Sequence, residues 1–458
     1  MLNLSRYIFI LLFSLIIAQT VGARNQMNQP LLDAEVAFNN KDYKKAFDIY
    51  QSLAAQDAVA QYQLGYLYLN GLGIPKDPNL AAAWFTKATE QGLPEGQYAL
   101  ATCYYYGIGI SKSVSIAAAL YEKASEKNYP QALYMQGYLY AIGMGEIQNL
   151  AAANNLYSKA ATLGVPQAQY NLGLQYYLGV GAPKDFSKAF TWFNTAAQQE
   201  LAKAQFMTAL MYSLGQSVPV DKGQAFNYYS KAADQGLPQA QYNLGVLYYT
   251  GQGTPGNLAL ALLWITKASD QDFPLAQYLR GYFAFNGVGT PKNSKQSLEW
   301  YTKAAQQGLA EAQFALGYLY HNGAEELPKN DQQSLFWLNA AAKQNNANAQ
   351  FMLGLSHQEG WGAGGVNPKL AAYWYEQAAT QGMDEAQLML GTIYSQGQGL
   401  PKNLKAAYAW FNLAANSNNA QVHESALKLR DELVKSMSAA DVKEAGLLSQ
   451  SYASKYAK

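Results

Sequence analysis

The sequence predicts an all-α protein assembled from stacked helix–turn–helix units, and three observations carry that expectation. A Gly, or an Ala in its place, recurs at Gly65, Ala101, Gly137, Gly173, Ala209, Gly245, Gly281, Gly317, Gly354 and Gly391, with seven intervals of 36 residues and two of 37. A Gly follows each of these ten markers by six positions, from Gly71 to Gly397. A Trp recurs at one place in the second half of seven repeats, from Trp84 to Trp410. A fixed period of this size belongs to units too small to bury an apolar face alone, so each must stack on its neighbours. Such a solenoid offers an extended surface instead of one deep cleft, which favours binding over catalysis.

The first helix of each unit follows from apolar spacing. In the fourth repeat Ala168, Leu172 and Tyr176 fall at i, i+4 and i+8, with Gly173 beside them. Ala or Gly stands five residues before every marker, as at Ala60, Gly96 and Ala132. Small residues at both places would let a neighbouring helix approach closely. The second helix starts at a capping residue: Asp or Asn follows a turn Pro by two positions at Asp77, Asp185, Asp221, Asn257, Asn293, Asn330 and Asn403. Gly or Asn closes most second helices, as at Gly92, Asn128 and Gly164, consistent with a left-handed residue after the helix.

Four segments result. Residues 1–23 read as a secretory signal, from Arg6, the apolar run Tyr7–Ala18 and the small residues Val21-Gly22-Ala23, with cleavage after Ala23. That run is too short to cross ~30 Å of hydrocarbon, so no transmembrane span is expected once it is removed. Residues 24–56 read as an N-terminal helical cap, 57–417 as the ten repeats and 418–458 as a C-terminal helical cap. The protein is therefore expected to be exported, to the periplasm or beyond the cell. With one Cys, Cys103, no intrachain disulfide can form, and its place in a helical pattern suits a buried small apolar residue.

The string Ala-Gln-Tyr-Asn-Leu-Gly at 240–245, the turn through Gly251, Gly253 and Pro255, then Trp264 and Lys267-Ala268, resembles the Sel-1-like repeat, a tetratricopeptide-type solenoid. Residues 312–317 and 386–391 match comparably, and the resemblance covers roughly 57–417. It implies a right-handed α-solenoid of antiparallel helix pairs, and a role as an adaptor for other proteins in trafficking, quality control or bacteria–host contact. Ser111 and Ile147 depart from the pattern by replacing the turn Pro, and Gly360–Gly365 remodels the ninth turn. That loop reads as a tolerated insertion, although its Trp361 keeps a functional reading open.

Little in the chain suggests chemistry. His321, His357 and His423 lack metal-ligand spacing, and no nucleophile elbow, phosphate loop or zinc-protease motif occurs. No cofactor, metal or catalytic residue is expected. A formal net charge of +1, with only Arg6, Arg24, Arg280 and Arg430 as arginines, argues against nucleic acid. The informative side chains are aromatic. Three residues before the marker, Tyr or Phe recurs in nine of ten repeats, so that place reads as core. One and four residues after it, on the same helical stripe, the residues vary between repeats. Variation on a shared scaffold leaves a position available for recognition, which makes Tyr66, Tyr105, Tyr138, Tyr177, Tyr249, Tyr282, Phe285 and Tyr318 the candidates for a concave partner-binding groove. Packing between repeats is the competing account of the same residues. The expected partner is a protein or peptide; a cell-wall glycan stacked on exposed aromatics is the alternative.

Overall fold

The computed structural model describes residues 29–325, 327–362 and 364–456. The expected signal segment, 1–23, lies outside them. The chain divides into two units, Met1–Val220 and Asp221–Lys458.

In the first unit α1 (Gln29–Asn39) and α2 (Tyr43–Leu53) form the leading pair. The repeats then alternate a first and a second helix: α3 (Ala58–Asn70) and α4 (Pro78–Glu90), α5 (Pro94–Tyr106) and α6 (Val114–Glu126), α7 (Pro130–Ile142) and α8 (Leu150–Thr162), α9 (Pro166–Leu178) and α10 (Phe186–Gln198). It closes with α11 (Ala202–Leu214).

The second unit opens with α12 (Lys222–Asp234). The pairs α13 (Pro238–Thr250) and α14 (Leu258–Ser269), α15 (Pro274–Asn286) and α16 (Ser294–Gln306), and α17 (Ala310–Asn322) and α18 (Asp331–Lys343) follow. After them come α19 (Ala347–Glu359) and α20 (Pro368–Ala379), then α21 (Asp384–Gln396) and α22 (Leu404–Ala414). The second unit ends with α23 (Ala420–Val434) and α24 (Ala439–Tyr456).

Local chemistry sets these boundaries. All ten second helices have a capping side chain that accepts from the helix backbone, as when Asn257 Oδ1 accepts from the Leu260 N–H at 3.0 Å. Ser113, Asn149 and Asn367 do this without the preceding Pro, so the departures at Ser111 and Ile147 leave the caps intact. The N–H of the capping residue also reaches back to the first helix, Asp77 to the Tyr68 carbonyl and Asn403 to that of Tyr394, both at 2.9 Å. The two 37-residue repeats keep this closing bond, Asn330 to Tyr320 at 2.8 Å and Asn367 to His357 at 2.7 Å. Their extra residue is absorbed in the turn. Gly109 occupies a place where a Cβ would lie 1.9 Å from the Pro78 carbonyl oxygen of the preceding repeat, so only glycine fits.

The marker glycines pack against the second helix of their own repeat. A Cβ at Gly65 would stand 2.6 Å from the Phe85 ring, at Gly281 2.6 Å from Tyr301 and at Gly354 2.6 Å from Tyr375. The residue five before the marker faces the second helix of the preceding repeat, as Gly96 does against Ala88. Both small positions are therefore close helix contacts.

Candidate functional site

The aromatic three before the marker is half-buried in most repeats, and it meets a second aromatic that the sequence reading passed over. This partner lies one residue beyond the recurring Trp: Tyr98 packs on Tyr121 at 5.6 Å, Tyr170 on Phe193 at 5.7 Å, Tyr278 on Tyr301 at 5.6 Å and Phe351 on Tyr375 at 5.5 Å. Tyr121, Phe193 and Tyr375 are fully buried, whereas the Trp at the preceding position is half-buried in six of the seven repeats that carry it, Leu120 standing there before Tyr121. The periodic Trp signal thus marks a surface-edge position, and the residue after it holds the core.

The structure separates the groove candidates. In the first unit Tyr66, Tyr105, Tyr138 and Tyr177 are all half-buried. Tyr66 packs on Phe38 of α1 at 5.9 Å, and Tyr177 lies between Phe186 and Phe193 at 5.2 and 6.3 Å. The Tyr105 hydroxyl points to Met144 Sδ of the next repeat at 3.8 Å. In the second unit Tyr249 packs on Phe283 of the next repeat at 5.1 Å and pairs through its side chain with Tyr282; that bond and burial raise its phenol pKa. Four residues after the marker, Tyr105 and Tyr249 therefore contribute to contacts between repeats, whereas Tyr177 packs within its own.

One residue after the marker, Tyr282 and Tyr318 of the second unit are more open, at 36% and 47% exposure. With Tyr278, Phe285 and Phe314 they line an open concavity of about 260 Å³ over α15, α16 and α17. Three of the eight candidates, Tyr282, Phe285 and Tyr318, thus meet at one place. The first unit has a different apolar feature: Tyr106, Ile142, Leu178 and Leu214, each the last residue of a first helix, are all exposed. Polar residues such as Asn286 and Asn322 hold that place in the second unit. Comparing the last residue of each first helix across repeats would have found this row.

A buried glutamine system also went unread. Four residues before the marker, Gln241 donates to the Ala233 carbonyl of the preceding second helix at 3.3 Å and accepts from Gln271 at 2.8 Å. Gln169 with Gln199, Gln313 with Gln344 and Gln350 with Gln381 repeat the pairing at 2.7–2.8 Å. These bonds satisfy polar groups that would otherwise be costly to bury. The glutamines serve the stack, leaving the aromatics as the variable surface.

The remaining titratable groups are explained by burial or packing. Cys103 is fully buried, and burial pushes its thiol up to about 12, so it is unreactive near neutral pH. His321 stacks on Trp361 at 3.9 Å and approaches Asp331 at 3.2 Å, while Ser356 donates to the Trp361 carbonyl at 2.8 Å. Trp361 thereby ties the ninth turn to the eighth repeat. Burial lowers the His357 pKa. Among the described residues no group of three or more His, Cys, Asp or Glu side chains is placed to hold a metal ion. No helix among them is long and apolar enough to cross a membrane.

The Sel1 repeat model matches eleven consecutive segments, 40–57, 58–93, 94–129, 130–165, 166–201, 202–237, 238–273, 274–309, 310–346, 347–383 and 384–419. The chain belongs to the Sel1 repeat family. The first match is a half-length copy within the leading segment, and the other ten are the repeats counted by their markers. Among solved structures the chain is similar to c5321, described as a protective antigen present in uropathogenic Escherichia coli strains displaying an SLR fold, at 30% identity and a TM-score of 0.59, over 89% of this chain and 94% of that one. It is also similar to a Sel1 repeat protein from Oxalobacter formigenes, at 29% identity and a TM-score of 0.46, over 61% and 97% of the respective chains. No curated protein matches significantly. Sel1 solenoids are typically scaffolds for protein–protein interaction.

Proposed function

We propose that this Sel1 chain is a non-enzymatic, exported scaffold that binds a peptide or protein segment against the stripe formed by its first helices. The observation that carries this reading is the open aromatic concavity of Tyr282, Phe285 and Tyr318, on a stripe whose neighbouring positions are given over to packing. Tyr provides a large, nearly rigid contact area with a polar tip, the chemistry enriched at interaction hot spots. Export rests on Arg6, the run Tyr7–Ala18 and the small residues before Arg24. The likeness to a protective antigen of uropathogenic Escherichia coli supports a setting in which a host is encountered.

Two experiments test this. Capture from envelope and culture-medium fractions, comparing the native chain with Tyr282→Ala/Tyr318→Ala, should yield a protein partner that the variant loses. Retention on insoluble cell wall, with no protein partner, would instead favour glycan binding. N-terminal sequencing of protein from its native cell should begin at Arg24, and intact Met1 on cytosolic material would overturn export.

A further inference from the structure

The recurring Trp is buried only once, at Trp410, where it is 3% exposed. The element covering it is α24. Tyr452 and Tyr456, one helical turn apart, lie 4.8 and 5.5 Å from the Trp410 ring. Asn412 donates to Ser449 Oγ at 2.8 Å, and Lys405 forms ion pairs with Asp441 and Glu444 near the start of α24. Ala406, Ala409 and Leu413 of α22 are buried with the Trp. The chain thus contains a worked example of what seats on this face: an amphipathic helix with an acidic start and two aromatics at i and i+4.

Elsewhere the same face carries its own cover or a different surface. Lys87, Lys267 and Lys303 lie 3.9, 3.9 and 4.0 Å over the rings of Trp84, Trp264 and Trp300. In the eighth and ninth repeats Ala340 and Gln377 replace that Lys. The residue before the Trp, buried Ala409 in the tenth repeat, is there Phe336 at 62% and Tyr373 at 48% exposure. Each ring stands edge-on to its own Trp at 4.9 Å, and Leu370 beside them is exposed. Lys369 occupies the Lys405 position of the ninth repeat. The patch lies next to the seat of α24, since the ninth and tenth repeats are consecutive; burial and the neighbouring Tyr456 raise the Tyr452 phenol pKa, and Glu376 of α20 adds to that rise. Two adjacent repeats therefore expose aromatic pairs beside an interface already closed by a helix.

We propose that the face of α18 and α20 carrying Phe336, Trp337, Tyr373 and Trp374 docks an amphipathic helix of a partner protein, with acidic residues in its first two turns and two aromatics one turn apart. The acidic residues meet Lys369 as Asp441 and Glu444 meet Lys405, and the aromatics meet the exposed rings as Tyr452 and Tyr456 meet Trp410. Burial of such rings is the usual source of hot-spot affinity in helix recognition. This surface is separate from the concavity of Tyr282 and Tyr318, and its test is independent of that reading.

The probe is a fluorescein-labelled peptide with the sequence of residues 438–456, titrated into the full chain by anisotropy, with hydrogen exchange mapping its footprint. Saturable binding is expected, with protection in 331–343 and 368–379. Phe336→Ser/Tyr373→Ser should weaken it at least about tenfold without changing the melting temperature, since both rings are exposed. A peptide carrying Tyr452→Ala/Tyr456→Ala should lose affinity equally. Absence of binding would overturn the proposal. So would protection confined to 404–414, which means exchange with the chain's own α24. A concentration-dependent dimer, abolished by the same double variant, would assign the face to a second copy and overturn it as well.

Discussion

Gln271 donates its side-chain amide to Gln241 Oε1 at 2.8 Å, thirty residues away, and ties the exposed turn after the second helix of one repeat to a buried glutamine of its first helix. In the third repeat Leu133 and Leu163 occupy the corresponding places, so the chain contains both the polar and the apolar solution. Removing the exposed Gln271 strands the buried Gln241 oxygen, whereas replacing both need not. Gln271→Leu should cost about 1–3 kcal/mol, and adding Gln241→Leu should recover part of that loss. Urea unfolding of the single and double variants gives the coupling. Strictly additive losses would show that the pair is not a unit.

Gly245→Leu places a γ-branched side chain where even a Cβ would stand 2.8 Å from Ile265. Overpacking of this kind costs about 1–3 kcal/mol. Because repeats couple chiefly to their neighbours, the loss should first appear as faster hydrogen exchange in α13 and α14. Unchanged exchange and melting would remove the marker glycines from the packing account.

Glu200 adopts φ +62°, at the place where Gly164, Gly236 and Gly308 close other second helices. A non-glycine residue there carries a steric cost of roughly 1 kcal/mol. Glu200→Gly should therefore raise the melting temperature slightly, by about 1 °C or less in a chain of this length, since the greater freedom of glycine in the unfolded chain offsets part of the gain. A lower melting temperature would mean that the Glu200 side chain makes a contact worth more than its strain.

His357 is held below its ordinary value of 6.5 by burial, and its Nδ1 has no hydrogen-bond partner among the described residues. The unfolded chain therefore takes up this proton at higher pH than the folded one. This contribution leaves stability unaffected above pH 6.5 and lowers it as the pH falls from there towards the folded-state value. Melting curves between pH 7.5 and 5 should show a smaller acid loss for His357→Gln than for the native chain. Identical slopes would contradict the assignment.

The fold was legible because its determinants are local and repeated ten times. The Asp and Asn caps, the left-handed glycines and the small marker residues each act within one repeat or on the next. The N-cap role of Ser113, Asn149 and Asn367 was harder to see, since the expected pattern included a Pro that the cap does not require. The core aromatic behind the Trp was missed because Phe85, Tyr121, Ile265 and Leu338 share volume and burial instead of residue identity. The candidate surface was only partly legible. Tyr249 and Tyr282 look equivalent in the sequence, yet one packs against the next repeat and the other stands more open. That distinction depends on inter-repeat geometry, which spacing within one helix does not encode.

The central claim, that the first-helix stripe binds protein through Tyr282, Phe285 and Tyr318, is tested most directly by partner titration against Tyr282→Ala/Tyr318→Ala. Both rings are exposed enough that the melting temperature should fall only slightly, while affinity for the captured partner should drop roughly 30-fold or more, the equivalent of ~2 kcal/mol at a hot spot. A variant that stays folded and binds that partner with native affinity would contradict the account.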